Sequence, residues 1–170
     1  KKEIIDLVGG VDDLENGITR TVGNPIERFE EDSLRILRTF RFNTRYRNEL
    51  DLNLKKAIHK RNNLSNVNPN TGLLERISQE RIWEEIKKTF SQVGDFNSYL
   101  NLFTVFGMWG EIFPNANINT DLIDSDNFTI IMANIFIDED FNNKLNRDKL
   151  VHNYKIESNT ASIIIFLNQI

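Results

Sequence analysis

Residues 28–42 read RFEEDSLRILRTFRF, and two superimposed spacings in this stretch decide how the chain folds. Phe29, Leu34, Leu37, Phe40 or Arg41, and Phe42 approximate the three-to-four-residue recurrence of the buried face of an amphipathic helix. Asp32, Arg35, Arg38 and Arg41 form a second series at strict three-residue intervals. Packing asks only for the apolar series, so the polar one needs a reason of its own. Just upstream, Asn24 can cap, Pro25 suits the first helical position and Glu27 favours the positive end of the helix dipole. The reading therefore predicts one helix from Pro25 to about Tyr46.

The flanking sequence extends this into an all-α reading. KKEIIDLV, residues 1–8, reads as a strand with no obvious partner strand downstream, and Gly9-Gly10 then breaks it as a hinge or tight turn. A phosphate cradle at that glycine pair would need a helix-starting G-x-G-x-x-G or Walker pattern, which does not follow. A second helix is predicted near residues 53–62, a turn-rich loop over NVNPNTG at 66–72, and a third helix over ISQERIWEEIKKTFSQ with Ser78 as its cap. That third helix gathers Ile82, Trp83, Ile86 and Phe90 on one side and offers Glu84–Lys88 as an i,i+4 ion pair. From Asp95 onward a helix ends near Gly107, and three short helices follow within DNFTIIMANIFI, RDKLVHNYKI and SNTASIIIFLNQI. Phe96, Tyr99, Phe103, Phe106 and Trp109 recur as a core stripe does; a base-stacking platform is the alternative.

Composition closes several function classes. A chain of 170 residues, 39% of them hydrophobic, is long enough to bury a core. A formal charge of −4 and a pI near 5.3 argue against coating nucleic acid through bulk electrostatics, so any such contact is local. The charge is uneven: residues 20–47 hold seven Arg, no Lys and four acids. With no Cys, and with His59 and His152 far apart, neither a disulfide framework nor a zinc site is expected. Asp6, Asp12 and Asp13 read as solvated acids of a linker, since nothing aligns them on one rigid element for a metal. The longest apolar run, Ile163–Leu167, is far short of the roughly 20 residues that span a bilayer, and the expectation is a soluble, cytoplasmic protein with no membrane contact. Asn, about one residue in seven, is dispersed and carries no functional reading.

The segment GGVDDLENGITRTVGNPIERFEEDSLRILRTFRF, residues 9–42, resembles the head–neck junction of class II tRNA nucleotidyltransferases, the CCA-adding enzymes and bacterial poly(A) polymerases. The resemblance is strong over residues 5–47, fair to about residue 90 and weak afterwards. It implies an all-α neck and partial body: residues 1–23 as the end of the head domain and the linker, 24–92 as the nucleotide-reading neck helices, and 93–170 as a body-like helical region. It also implies that Asp32 and Arg35 are the family's acceptor–donor pair for the incoming nucleotide, with Arg38 and Arg41 supporting them by stacking beneath the base or reaching phosphate. Arg20 matches an arginine of the family's junction, and a phosphate contact and a linker salt bridge with Asp12 or Asp13 are both open. Glu80 and Arg81 match the neck signature and more readily brace helices than touch nucleotide.

The chemistry of that pair is coherent. On one helix, residues at i and i+3 share a face, so a carboxylate and a guanidinium would stand side by side. The carboxylate accepts from the exocyclic amine of cytosine or adenine, and the guanidinium donates to the neighbouring ring nitrogen. Uracil and guanine present a carbonyl and a ring N–H instead, leaving buried groups unpaired at a cost of about 1–3 kcal/mol each. On spacing alone the same series also reads as a solvated face with ion pairs such as Asp32–Arg35, worth a few tenths of a kcal/mol.

The resemblance further implies CTP and ATP as substrates, the tRNA 3′ end as acceptor, and Mg²⁺ held by a catalytic head. The head's Gly-Ser motif with its two metal-binding DxD carboxylates, and its Arg-rich motif, are not in this sequence, so this chain alone is expected to be inactive. Three origins are open: part of a longer enzyme, half of a split enzyme, or a headless relative. The strand-like start favours the first two, because in the family such a strand completes the head's sheet. CCA addition is preferred over poly(A) addition on a motif that both share. The rival reading is a noncatalytic helical RNA-binding or assembly module derived from the family.

Overall fold

The computed structural model describes residues 4–61, 72–136 and 147–169. The chain divides into two compact units, Lys1–Arg76 and Ile77–Ile170. The expected all-α architecture holds, with one small addition in the first unit, a two-stranded parallel sheet.

In the first unit the described elements are α1 (Gly10–Glu15), β1 (Ile18–Thr19), α2 (Pro25–Glu31), α3 (Arg35–Tyr46), β2 (Glu49–Leu50), α4 (Leu52–Lys60) and a 3-10 turn at Leu74–Arg76. Phe29 of α2, Ile36, Leu37 and Phe40 of α3, and Leu54 and Ile58 of α4 are fully buried or nearly so and form the core. β1 pairs with β2 in the register Ile18↔Glu49 and Thr19↔Leu50. Asn24 caps α2 as its sequence position predicts, its side chain accepting from the Ile26 amide at 3.0 Å. Asp51 caps α4, accepting from the Asn53 amide at 2.9 Å.

The single helix expected over 25–46 is interrupted. Asp32 adopts an extended backbone, φ −152° and ψ 101°, and its Oδ1 accepts from the Leu34 amide at 3.2 Å. Ser33 bonds back to the Phe29 carbonyl at 3.1 Å. Short polar side chains that hydrogen-bond their own backbone compete with the helical ladder, and here two in succession end α2 and start α3. Phe42, expected in the core, is 42% exposed, because five residues beyond Leu37 the helix has turned well away from the buried face.

The start of the chain also differs from expectation. Residues 4–8 form no strand; the Asp6 carboxylate accepts from the amides of Val8 at 3.1 Å and Val11 at 2.8 Å and curls the backbone toward α1. These bonds hold the Asp6 carboxyl below its ordinary range. Gly9 makes the predicted tight turn at φ 74°. Of the loop predicted over 66–72, residues 66–71 lie outside the described residues, as does residue 62 of the second helix.

The second unit holds α5 (Gln79–Gln92), α6 (Phe96–Val105), α7 (Trp109–Ile112), α8 (Phe128–Ile135), a π-type turn at Lys149–Asn153, and α9 (Ser158–Leu167). Ser78 caps α5, accepting from the Arg81 amide. The expected aromatic stripe is core: Phe96, Tyr99, Phe103, Phe106 and Trp109 are all buried. It continues through edge-to-face contacts from Phe103 to Trp109 at 5.1 Å, and from Phe113 to Phe136 at 4.9 Å and Tyr154 at 5.4 Å. The expected Glu84–Lys88 pair is replaced by Glu84–Lys87 at 2.7 Å, because Lys87 also reaches Glu157 beside α9. Trp83 donates its indole N–H to the same Glu157 carboxylate at 2.9 Å. Burial alone would raise Glu157, but the bonds from Lys87 and Trp83 outweigh it and hold the carboxyl below its ordinary value. No helix among the described residues is long and apolar enough to cross a membrane.

Candidate functional site

The polar series of the opening stretch is built around the α2–α3 break. Asp32 stands at the break and Arg35 opens α3. The two do not share one helix face as the spacing implied, because Asp32 lies between the two helices with an extended backbone. Each is instead gripped by a neighbour. Arg35 pairs with Glu31 at 2.6 Å and donates to the Arg28 carbonyl at 3.3 Å. Asp32 pairs with Arg38 at 3.5 Å. Glu31 also takes Arg28 at 3.0 Å, and hydrogen bonds from Arg35 first and Arg28 second keep its carboxyl below the ordinary carboxylate range. The side chains of Asp32 and Arg35 remain 25% and 39% exposed, so both reach solvent.

Arg41 separates from the other three. A three-residue step falls about 60° short of a full helical turn, so Arg35 and Arg41 point about 120° apart. Arg41 is accordingly 6% exposed, with its guanidinium 4.7 Å from the Phe42 ring centroid. The series is an arc around α3 and not a stripe. Sequence reasoning passed over Glu31 and Arg28, although Glu31 four residues before Arg35 has the favourable orientation for a helical ion pair and was the available signal.

Arg20 takes the salt-bridge alternative, to Asp13 at 3.1 Å, with Asp51 at 4.0 Å. Glu80 faces Lys155 at 3.9 Å, and His59 and His152 are exposed. Among the described residues no group of three or more His, Cys, Asp or Glu side chains is placed to hold a metal ion.

Comparison with known proteins gives this geometry its context. No protein-family model matches the chain. Over 85 residues it is 46% identical to the CCA-adding enzyme of Ligilactobacillus salivarius, and over 86 residues 45% identical to that of Streptococcus gordonii. Over this stretch the chain is similar to the CCA-adding enzymes. The matched stretch is about half of this chain and 19% of either CCA-adding enzyme. A tRNA nucleotidyltransferase solved with a primer tRNA and an incoming ATP analog matches 97% of the chain at a TM-score of 0.73 and 22% identity, the chain spanning 50% of that protein. A Thermotoga maritima CCA-adding enzyme solved with tRNA matches 97% at 0.68 and 19%, the chain spanning 42% of it. At these identities the likeness to the solved CCA-adding enzymes is one of fold.

Proposed function

We propose that this chain is the nucleotide-selecting part of a CCA-adding tRNA nucleotidyltransferase, choosing CTP and ATP for the tRNA 3′ end. On this reading residues 24–92 are the neck and 93–170 a partial body. The observation that carries it is the α2–α3 break, where a carboxylate and a guanidinium three residues apart are each oriented by a separate ion pair and still reach solvent. Relatives named CCA-adding enzyme, and a solved neighbour titled as a tRNA-processing enzyme with CTP, support the choice of substrate.

Asp32 offers lone pairs to the exocyclic amine of cytosine or adenine, and Arg35 donates to the adjacent ring nitrogen. Glu31 holds Arg35 in place, so less rotamer freedom is lost when a base arrives. Arg38, tied to Asp32, supplies a cation for the triphosphate. On this reading Mg²⁺ is held by a catalytic head, where it would supply the phosphoryl-transfer chemistry.

The test is nucleotide choice in the polypeptide that joins this chain to its catalytic domain. Asp32→Ala should equalise use of CTP and ATP against UTP and GTP, a loss of about 10² in discrimination. Asp32→Asn keeps an oxygen to cap Leu34 while adding an N–H donor, so it should retain the fold and raise the share of UTP. An unchanged nucleotide ratio in both variants would sink the base-edge reading.

A further inference from the structure

The α2–α3 break is tied to the linker upstream of it through one side chain. Thr21 donates its hydroxyl to the Gly23 carbonyl at 3.2 Å, and Gly23 turns the chain at φ 85°, a left-handed setting that glycine adopts without steric cost. Inside that turn the Val22 carbonyl accepts from Arg28 Nε at 3.0 Å. The same guanidinium uses Nη1 to donate to both carboxylate oxygens of Glu31, each at 3.0 Å. Glu31 in turn accepts from Arg35 Nη1 at 2.6 Å. A continuous chain of polar contacts therefore runs from the linker backbone through Arg28 and Glu31 to Arg35.

Arg28 meets Asp32 and Arg35 by a second route. Its backbone carbonyl accepts from the Asp32 amide at 3.4 Å and from Arg35 Nη1 at 3.3 Å. The side chains of Arg28, Glu31 and Arg35 are 42%, 49% and 39% exposed, and ion pairs this open to water add little to stability. What the arrangement supplies is direction. A planar guanidinium has donors on fixed bearings and holds the carbonyl and the carboxylate at once, whereas an ammonium on a flexible stem is a point charge. A side chain already fixed in place loses less rotamer freedom when a ligand arrives.

We infer that Arg28 is a positioning residue that couples the Val22–Gly23 turn to Arg35, so that the setting of the linker governs how firmly that arginine is presented to a base. The coupling stands on the hydrogen bonds alone; its consequence for nucleotide choice rests on the proposed function. The action of Arg28 passes through Glu31.

The coupling is measured by side-chain NMR relaxation of the Arg35 Nε–H group in the 170-residue chain. Arg28→Lys should lower the order parameter of that group. Gly23→Ala, which strains a left-handed backbone position, should lower it too, and the two together no further than the larger single effect. Urea denaturation checks that Arg28→Lys keeps wild-type stability. Unchanged Arg35 mobility in Arg28→Lys, or effects of the two substitutions that add in full, overturns the coupling. In the polypeptide that joins this chain to its catalytic domain, Arg28→Lys should narrow the kcat/KM preference for CTP and ATP over UTP by about three- to tenfold. A merely structural role would lower all three values alike and leave their ratio unchanged. That unchanged ratio, in a protein where Asp32→Ala does flatten nucleotide choice, overturns the positioning role. Freed Arg35 in Arg28→Lys together with undisturbed nucleotide choice in Asp32→Ala would instead sink the nucleotide-selecting reading and leave the link from linker to Arg35 standing.

Discussion

At the scale of single residues, the most informative groups are those whose partners are fixed. Tyr154 donates its hydroxyl to the Pro114 carbonyl at 2.7 Å, and burial pushes its pKa up from 10.0 to about 12. A phenol whose folded pKa is raised contributes stability that is fully present below pH 10 and is lost as pH rises from 10 toward 12. Urea denaturation across that range should show wild-type stability falling more steeply than that of Tyr154→Phe. At neutral pH the same substitution should cost about 0.5–1.5 kcal/mol, the net worth of one hydrogen bond. Arg20 was legible in the sequence only as a choice between phosphate and a linker acid, because Asp12 and Asp13 are equivalent until α1 orients them. The fold selects Asp13 at 3.1 Å. The Glu31–Arg35 pair is written in the sequence as an i,i+4 spacing, overlaid there by the three-residue series of Asp32, Arg35, Arg38 and Arg41.

At the scale of elements, caps and core faces were the parts best written into the sequence. Asn24 and Ser78 occupy their predicted capping positions, and the aromatic stripe from Phe96 to Trp109 is buried as its spacing requires. Ser78→Ala should therefore lower stability by about 1 kcal/mol, read as a shift in denaturation midpoint at constant slope. The helix break was not legible, because helix propensity and hydrophobic period run through residues 28–42 without a glycine or proline. Two local side-chain bonds, from Leu34 to Asp32 and from Ser33 to Phe29, decided the matter. The two-residue strands were equally hidden, since their pairing joins positions about 30 residues apart and no alternation announces it.

At the scale of the whole molecule, charge is divided between the units. Residues 1–76 carry a formal +2 and residues 77–170 a formal −6, so the overall −4 conceals a basic unit that holds Asp32 and Arg35, the pair proposed to read the nucleotide. On the proposed function, affinity for the tRNA end should fall with added salt, with a log–log slope of about −0.7 for each phosphate neutralised. The chain spans about a fifth of the length of the curated relatives it matches over its aligned stretch, and 40–50% of the solved ones.

The interruption at Asp32 also has a mechanical meaning. In an unbroken helix the offset between a carboxylate and a guanidinium three residues on is set by a rigid rod, and altering it means breaking the rod's ladder. Here the two groups stand on either side of a joint held by the bonds from Leu34 and Arg35 to Asp32. A small change in the dihedral angles of that joint alters their spacing while α2 and α3 stay whole. On the nucleotide-selecting function proposed above, a gauge of this kind is adjustable, and a single pair of side chains so mounted would be set to the reach of a pyrimidine in one step and of a purine in the next.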